Sequence, residues 1–135
     1  MGYRSEVVLM AVFANAEEHD EVMSIYRMNP KVQEHKLEAA WRRVDMDSGV
    51  VVRIYEGDYV KWYESYEDVI ALKGLEDVMQ TFHDERGFSY AWGYARIGEE
   101  PDDSEYEARH QEDDGLLIEV VYDNLEIERR LALGI

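Results

Sequence analysis

Cysteine is absent from the 135 residues. Disulfides, thiolate metal sites and a cysteine nucleophile are therefore excluded, and the composition fits a reducing compartment. Proline occurs twice, and apolar runs are short, Val7–Phe13 spanning seven residues. A membrane-spanning helix needs about 20 such residues, so none is expected. The first residues carry one basic side chain, Arg4, and no small-residue cleavage site, so no signal peptide is expected either. These absences point to the cytoplasm. Catalytic signatures are missing as well: GxSxG, the P-loop and GxGxxG do not occur. The four histidines, His19, His35, His83 and His110, form no HxH or HxxxH pair and read as surface or boundary residues. Positive charge is scarce, with 14 Lys and Arg against 31 Asp and Glu, a formal net charge of −17.

Apolar residues make up 46% of the chain and aromatics 12%, enough for a packed core. A chain of this size should expose roughly 7,400 Å² when folded and bury about two thirds of its unfolded surface. One domain, 1–135, accounts for it. A charge of this sign repels nucleic acid and anionic membranes and attracts basic protein surfaces. The largest basic patch the sequence offers, Arg42 and Arg43 with Arg53, is small.

Ser5–Phe13 is apolar at both alternate sets of positions and predicts a central strand covered on both faces. Asn15 with Glu18 forms a capping box for a helix whose buried stripe is Val22, Met23, Ile25 and Tyr26, and Asn29-Pro30 ends it. Lys31–Asp47 fits helix and strand alike; a short helix or loop to about His35, then a hairpin, suits the Asp47-Ser48-Gly49 turn before the strand Val50–Tyr55. Gly57-Asp58 predicts a further turn into a short strand, Tyr59–Tyr63. Glu67–Glu85 is the second main helix, stopped by Gly87, and Phe88–Ile97 the next strand. Leu116–Tyr122 and Leu125–Leu131 read as two more strands. The expected fold is α+β: an antiparallel or mixed sheet of about six strands with two main helices on one face.

The densest charge lies in an acidic insert, 99–114. Glu99, Glu100, Asp102, Asp103, Glu105, Glu107, Glu112, Asp113 and Asp114 face a single basic residue, Arg109, within it. Neighbouring like charges at about 6 Å repel by roughly 0.7 kcal/mol per pair in water before screening. Such a run is either a solvated loop and hairpin or a surface for a basic partner. DNA mimicry is arithmetically open: about 35 Å of duplex carries roughly 20 charges, and a domain of this length is about 36 Å across. Salt adaptation is a third account, since only 4 of the 14 basic residues are Lys. An EF-hand at Asp45–Glu56 fails, because Gly49 and Val50 stand where a ligand oxygen and a glycine are needed. A nuclease reading of Pro101-Asp102 with Glu107-Ala108-Arg109 fails on spacing and on the missing lysine. Tyr55, Tyr59, Trp62, Tyr63 and Tyr66 crowd within 12 residues; core packing accounts for most, while Trp62, Tyr63 and Tyr66 are candidate anchors in a cleft or contact.

Met1-Gly2-Tyr3-Arg4-Ser5-Glu6-Val7, Val60–Val69 (VKWYESYEDV) and Ala95-Arg96-Ile97-Gly98-Glu99 resemble a family of small acidic hypothetical proteins of bacteriophages and prophages. No activity attaches to that family, and no functional residue carries over. The resemblance implies a setting in the host cytoplasm and a role in blocking a host factor, including restriction or other nucleic-acid-handling machinery. The expectation is a non-enzymatic acidic binding protein that engages a basic host protein, as a DNA mimic or anti-defence inhibitor. The alternative is a small-ligand or divalent-metal pocket protein or enzyme using the Tyr55–Tyr66 aromatics. A homo-oligomer formed through a sheet edge is also compatible. No catalytic residue, metal ligand or cofactor is assigned.

Overall fold

The computed structural model describes residues 4–63, 65–100 and 102–133, without the side chains of 59 and 125–133. Strand β1 (Ser5–Phe13) is followed by helix α1 (Ala16–Tyr26) and two short helices, α2 (Pro30–Glu34) and α3 (Leu37–Ala40). Strands β2 (Arg42–Asp45) and β3 (Val51–Val60) form a hairpin, and helix α4 (Glu67–Arg86) leads into β4 (Tyr90–Gly98). Strand β5 (Ser104–Gln111) and helix α5 (Leu116–Leu133) complete the order. The five strands lie in the order β2-β3-β1-β4-β5, every neighbouring pair antiparallel. The units β1-α1-β2 and β3-α4-β4 interleave, each leaving a gap that a strand of the other fills. This is the ferredoxin-like connectivity, widened at one edge by β5.

The double apolar pattern of β1 sets the architecture. Leu9, Met10, Ala11 and Val12 are all fully buried, so both faces of the central strand are covered. Val7, Leu9, Ala11 and Phe13 join α1, α4 and the aromatics in one core. Met10 and Val12 join Val52, Ile54, Ala91 and Ala95 beneath Leu117, Ile118 and Val121 of α5 in a second. The two main helices thus share one face, as the sequence predicts, and α5 covers the other. Accessible surface totals 7,695 Å², close to the value expected from chain length.

Local signals explain most boundaries. Asn15 Oδ1 accepts the Glu18 N–H at 2.9 Å, and Asn15 Nδ2 donates to Glu18 Oε2 at 3.0 Å, the expected cap of α1. Asn29-Pro30 both ends α1 and starts α2, since the Asn29 side chain accepts the Lys31 N–H and Pro30 takes the first turn. Gly87 closes α4 at φ 72°. The edges are blunted by charge: β2 is four residues long and three are charged, and β5 alternates Glu105, Glu107 and Arg109. Edge-to-edge pairing between copies is thereby disfavoured.

Ile25, expected on the buried stripe of α1, is 49% exposed, and two element assignments need correction. The predicted turn at Gly57-Asp58 and separate strand Tyr59–Tyr63 are a single strand, β3, which runs through to Val60. Gly57 marks a bulge instead: Ser5 pairs with Val60 but Val7 with Gly57, so β3 carries an extra residue there. A Cβ at Gly57 would stand 3.0 Å from the Tyr55 hydroxyl, which favours glycine. The predicted strands Leu116–Tyr122 and Leu125–Leu131 are one helix, α5. The β-branched content of Leu116–Val121 suggests a strand, but burial follows Leu117, Ile118 and Val121, a helical spacing. That register is testable. Leu117→Ala should cost about 2–4 kcal/mol in a chemical denaturation series, whereas Leu116→Ala, at a site 60% exposed, should stay within about 0.5 kcal/mol. Equal losses would contradict the helical register.

Candidate functional site: the acidic sheet edge

The acidic segment 99–114 is the β4–β5 connection, the edge strand β5 and the approach to α5, and the fold uses many of its carboxylates. Arg96, only 11% exposed, donates to Asp103 Oδ1 at 2.6 Å and to Glu105 Oε1 at 3.0 Å. It also donates to Ser5 Oγ at 3.0 Å. The hydrogen bond to Asp103 leads the effects that raise the Arg96 pKa, so this guanidinium stays charged. Arg109 pairs with Glu107 of its own strand at 2.9 Å and grips Glu76 of α4 through Nε at 2.8 Å. Glu99 Oε1 accepts the Arg4 N–H at 2.8 Å.

At the far end the carboxylates cap α5. Glu112, with a side chain 1% exposed, accepts the N–H groups of Leu117 at 2.6 Å and Ile118 at 2.9 Å, and His110 Nδ1 lies 2.9 Å from its second oxygen. Asp114 Oδ1 accepts the Leu116 N–H at 3.2 Å. Gly115 turns the chain at φ 75°. Glu100, Asp102 and Asp113 are exposed. Hydrogen bonds to backbone remove no charge, and Arg96 and Arg109 do not cancel nine carboxylates. The β5 edge is therefore strongly negative.

The aromatics divide. Trp62 is buried at 8% exposure, its ring 6.1 Å from Tyr55 and 6.3 Å from Tyr94. Its Nε1 donates to the Tyr94 hydroxyl at 3.2 Å, which in turn donates to Glu105 Oε2 at 2.8 Å. Burial first, then the bond to Glu105, raises the Tyr94 pKa, so the hydroxyl remains a donor. Trp62 is therefore a core residue tied to the acidic edge. Tyr66 is 42% exposed, with the half-buried Tyr63 ring 5.0 Å away. Ile70, one turn further along α4, is 58% exposed. Between α4 and β5 runs a groove of about 270 Å³, with Ile70 and Glu76 on the helix side and Glu107 and Arg109 on the strand side. The exposed Ile70 of α4 and the acidic strand thus border the same depression.

Among the described residues, one group of three side chains could hold a metal ion: Glu34, His35 and Glu67, all exposed. The Lys31 ammonium already sits between the two carboxylates, 3.0 Å from Glu34 and 2.9 Å from Glu67. A cation there would have to displace it.

His19 is not the surface or boundary residue expected from sequence. It is 2% exposed, with its ring edge-on to Phe13 at 5.0 Å. Arg53 Nε donates to its Nε2 at 3.0 Å, so the ring proton sits on Nδ1 and faces Asp20 at 2.8 Å. The clue was available, because His19 falls at helical spacing with the buried Val22, Met23 and Tyr26. Burial, with lesser effects from Arg53 and Arg43, lowers its pKa despite Asp20.

No family model matches the chain, and no curated protein sequence or solved structure is significantly similar to it.

Two measurements probe these assignments. Glu112→Ala should lower stability by about 1–2 kcal/mol through loss of the α5 cap, and Asp113→Ala should change it by no more than about 0.5 kcal/mol; indistinguishable losses would remove the capping role. The His19 imidazole should titrate below 6.5 by NMR. With the folded pKa depressed, the stabilisation from neutral His19 is complete above about 6.5 and is lost as pH falls through the lower midpoint. A midpoint at or above 6.5 would contradict the buried neutral assignment.

Proposed function

We propose that the chain is a non-enzymatic binding protein whose acidic β5 edge engages a basic surface of a protein partner. The observation that carries this reading is the groove between α4 and β5, where exposed Ile70 borders Glu107 on a net-negative strand. Charged edges accelerate encounter, while a few central apolar side chains set the lifetime of a complex. The exposed Glu100, Asp102 and Asp113 supply field, and Tyr66 with Ile70 supplies the anchor.

The distribution of charge along the chain supports the same reading. Residues 27–53 carry six basic and four acidic side chains. The net charge of −17 therefore arises entirely outside them. Within the sheet, β2 lies at one edge and the acidic β5 at the other. A polarised body of this kind favours an oriented approach to a cationic surface. The resemblance to acidic phage proteins makes a host factor that handles nucleic acid the first partner class to test, with the β5 edge standing in for a phosphate backbone. A pocket enzyme built on the Tyr55–Tyr66 aromatics has less support, since Tyr55 and Trp62 pack into the core with Trp41 and Tyr94.

The test is affinity capture from host lysate at low and high salt, followed by kinetics with the captured protein. The triple variant Glu100→Gln, Asp102→Asn, Asp113→Asn should bind about tenfold more weakly, roughly 1.4 kcal/mol, mainly through a slower on-rate and a flatter salt dependence. Tyr66→Ala should instead shorten the lifetime of the complex. Undiminished salt-dependent capture by the triple variant would overturn the electrostatic part of the proposal.

A further inference from the structure

Three of the six cations of residues 27–53 line a second depression, away from the β5 edge. It encloses about 410 Å³ between the end of α1, helices α2 and α3, and strand β3, within the size range of small-molecule sites. Val32 and Ala39 supply apolar wall, and Arg27, Lys36 and Arg53 supply charge. The one carboxylate, Glu38, is already held by Arg27, whose Nε and Nη2 donate to it at 3.0 and 2.9 Å. Two cations are left over.

Arg53 is the informative one. It is half-buried, and its two hydrogen bonds go to neutral acceptors, His19 Nε2 at 3.0 Å and the Trp41 carbonyl at 2.7 Å. Its Nη2 has no partner among the described residues. Guanidinium groups withdrawn from water are ordinarily matched by a carboxylate or another anion. Here the net effect lowers the Arg53 pKa: burial comes first, Glu38 opposes it, and Arg43 and Arg27 add to it. Lys36 lines the same cleft, with no partner for Nζ among the described residues. The Lys36 backbone lies in the left-handed region at φ 55° and ψ 41°, the single non-glycine residue with positive φ among those described. Its N–H closes α2 on the Gln33 carbonyl at 3.2 Å. Glycine is the favoured residue at such a helix end. A lysine stands there against backbone preference, on the wall of a cleft that also contains a guanidinium hydrogen-bonded only to neutral acceptors.

We propose that this cleft binds a small organic anion, a phosphate monoester or carboxylate with an apolar body, whose charged end is received by Arg53 Nη2 and Lys36 Nζ while Val32 and Ala39 contact the remainder. The anion completes the charge balance that the protein leaves open. A guanidinium N–H donor and an ammonium lining one cleft suit either oxyanion. The site is independent of the acidic edge, and failure of one proposal leaves the other intact.

The test is a two-dimensional amide NMR titration with phenyl phosphate, benzoate and the uncharged control benzyl alcohol. Phenyl phosphate or benzoate should produce saturable shifts concentrated at residues 32–39 and at Arg53, and benzyl alcohol should produce none. Tighter binding of phenyl phosphate assigns a phosphate monoester, and tighter binding of benzoate a carboxylate. Lys36→Gly relieves the left-handed backbone and should fold normally while binding at least tenfold more weakly. Lys36→Gln removes the charge while keeping a polar side chain at the same backbone position and should lose affinity similarly. Non-saturating shifts scattered over lysines and arginines in general, or unchanged affinity in both variants, would overturn the proposal.

Discussion

Strand β1 is apolar on both faces, and much of the structure follows from hiding both. A strand of this kind is stable only at the centre of a sheet with a layer on each side. The interleaved β-α-β units provide one layer through α1 and α4. They leave the opposite face, with Met10, Val12, Ile54 and Ala95, uncovered. Helix α5 covers that face, so the chain must return across the sheet after β5. The acidic segment makes this return, and Glu112 and Asp114 organise the first turn of the returning helix. A run that looks from composition like a dispensable solvated loop therefore secures one of the two cores.

The segment is tied to the other core as well. From the Trp62 indole, hydrogen bonds pass through the Tyr94 hydroxyl to Glu105, then to Arg96, Asp103 and Ser5. The line joins the aromatic interior to the negatively charged rim. It fixes the rotamers of Glu105 and Asp103, while Arg109 fixes β5 against α4 through Glu76. Carboxylates held in this way form a rigid pattern rather than a diffuse cloud. A patterned surface lowers the ordering cost of association, which is why the edge suits recognition better than a mobile acidic tail would.

The elements with strong periodicity were legible before the structure: β1, α1, α4, β4 and the Asp47–Gly49 hairpin turn. Failures came where one signal had two meanings. Gly57 reads as a turn from local chemistry and is a bulge because Tyr55 and β1 require it. Ile118, Val120 and Val121 carry strand propensity, yet α5 is a helix because an apolar sheet face needed covering, a demand no local window contains. Its cap is equally hard to see, since the Glu112 carboxylate reaches the N–H groups of residues five and six positions later. At the candidate site, the concentration of charge was plain from sequence, and the assignment of Asp103, Glu105 and Glu107 to internal arginines was not. Trp62 could not be separated from Tyr66 by composition; only packing shows one inside and the other outside.

The placement of β1 also determines how the molecule opens. Both of its neighbours are paired along almost their whole length, from Ser5 to Phe13. No local fluctuation frees its amides without breaking two ladders and parting two cores. Their deuterium uptake therefore reports the full unfolding free energy, while the short α2 and α3 and the edge strand β2 exchange through smaller, independent openings. The protein carries a slow clock at its centre and faster ones at its rim, and the interval between them measures how far a bound partner tightens the whole.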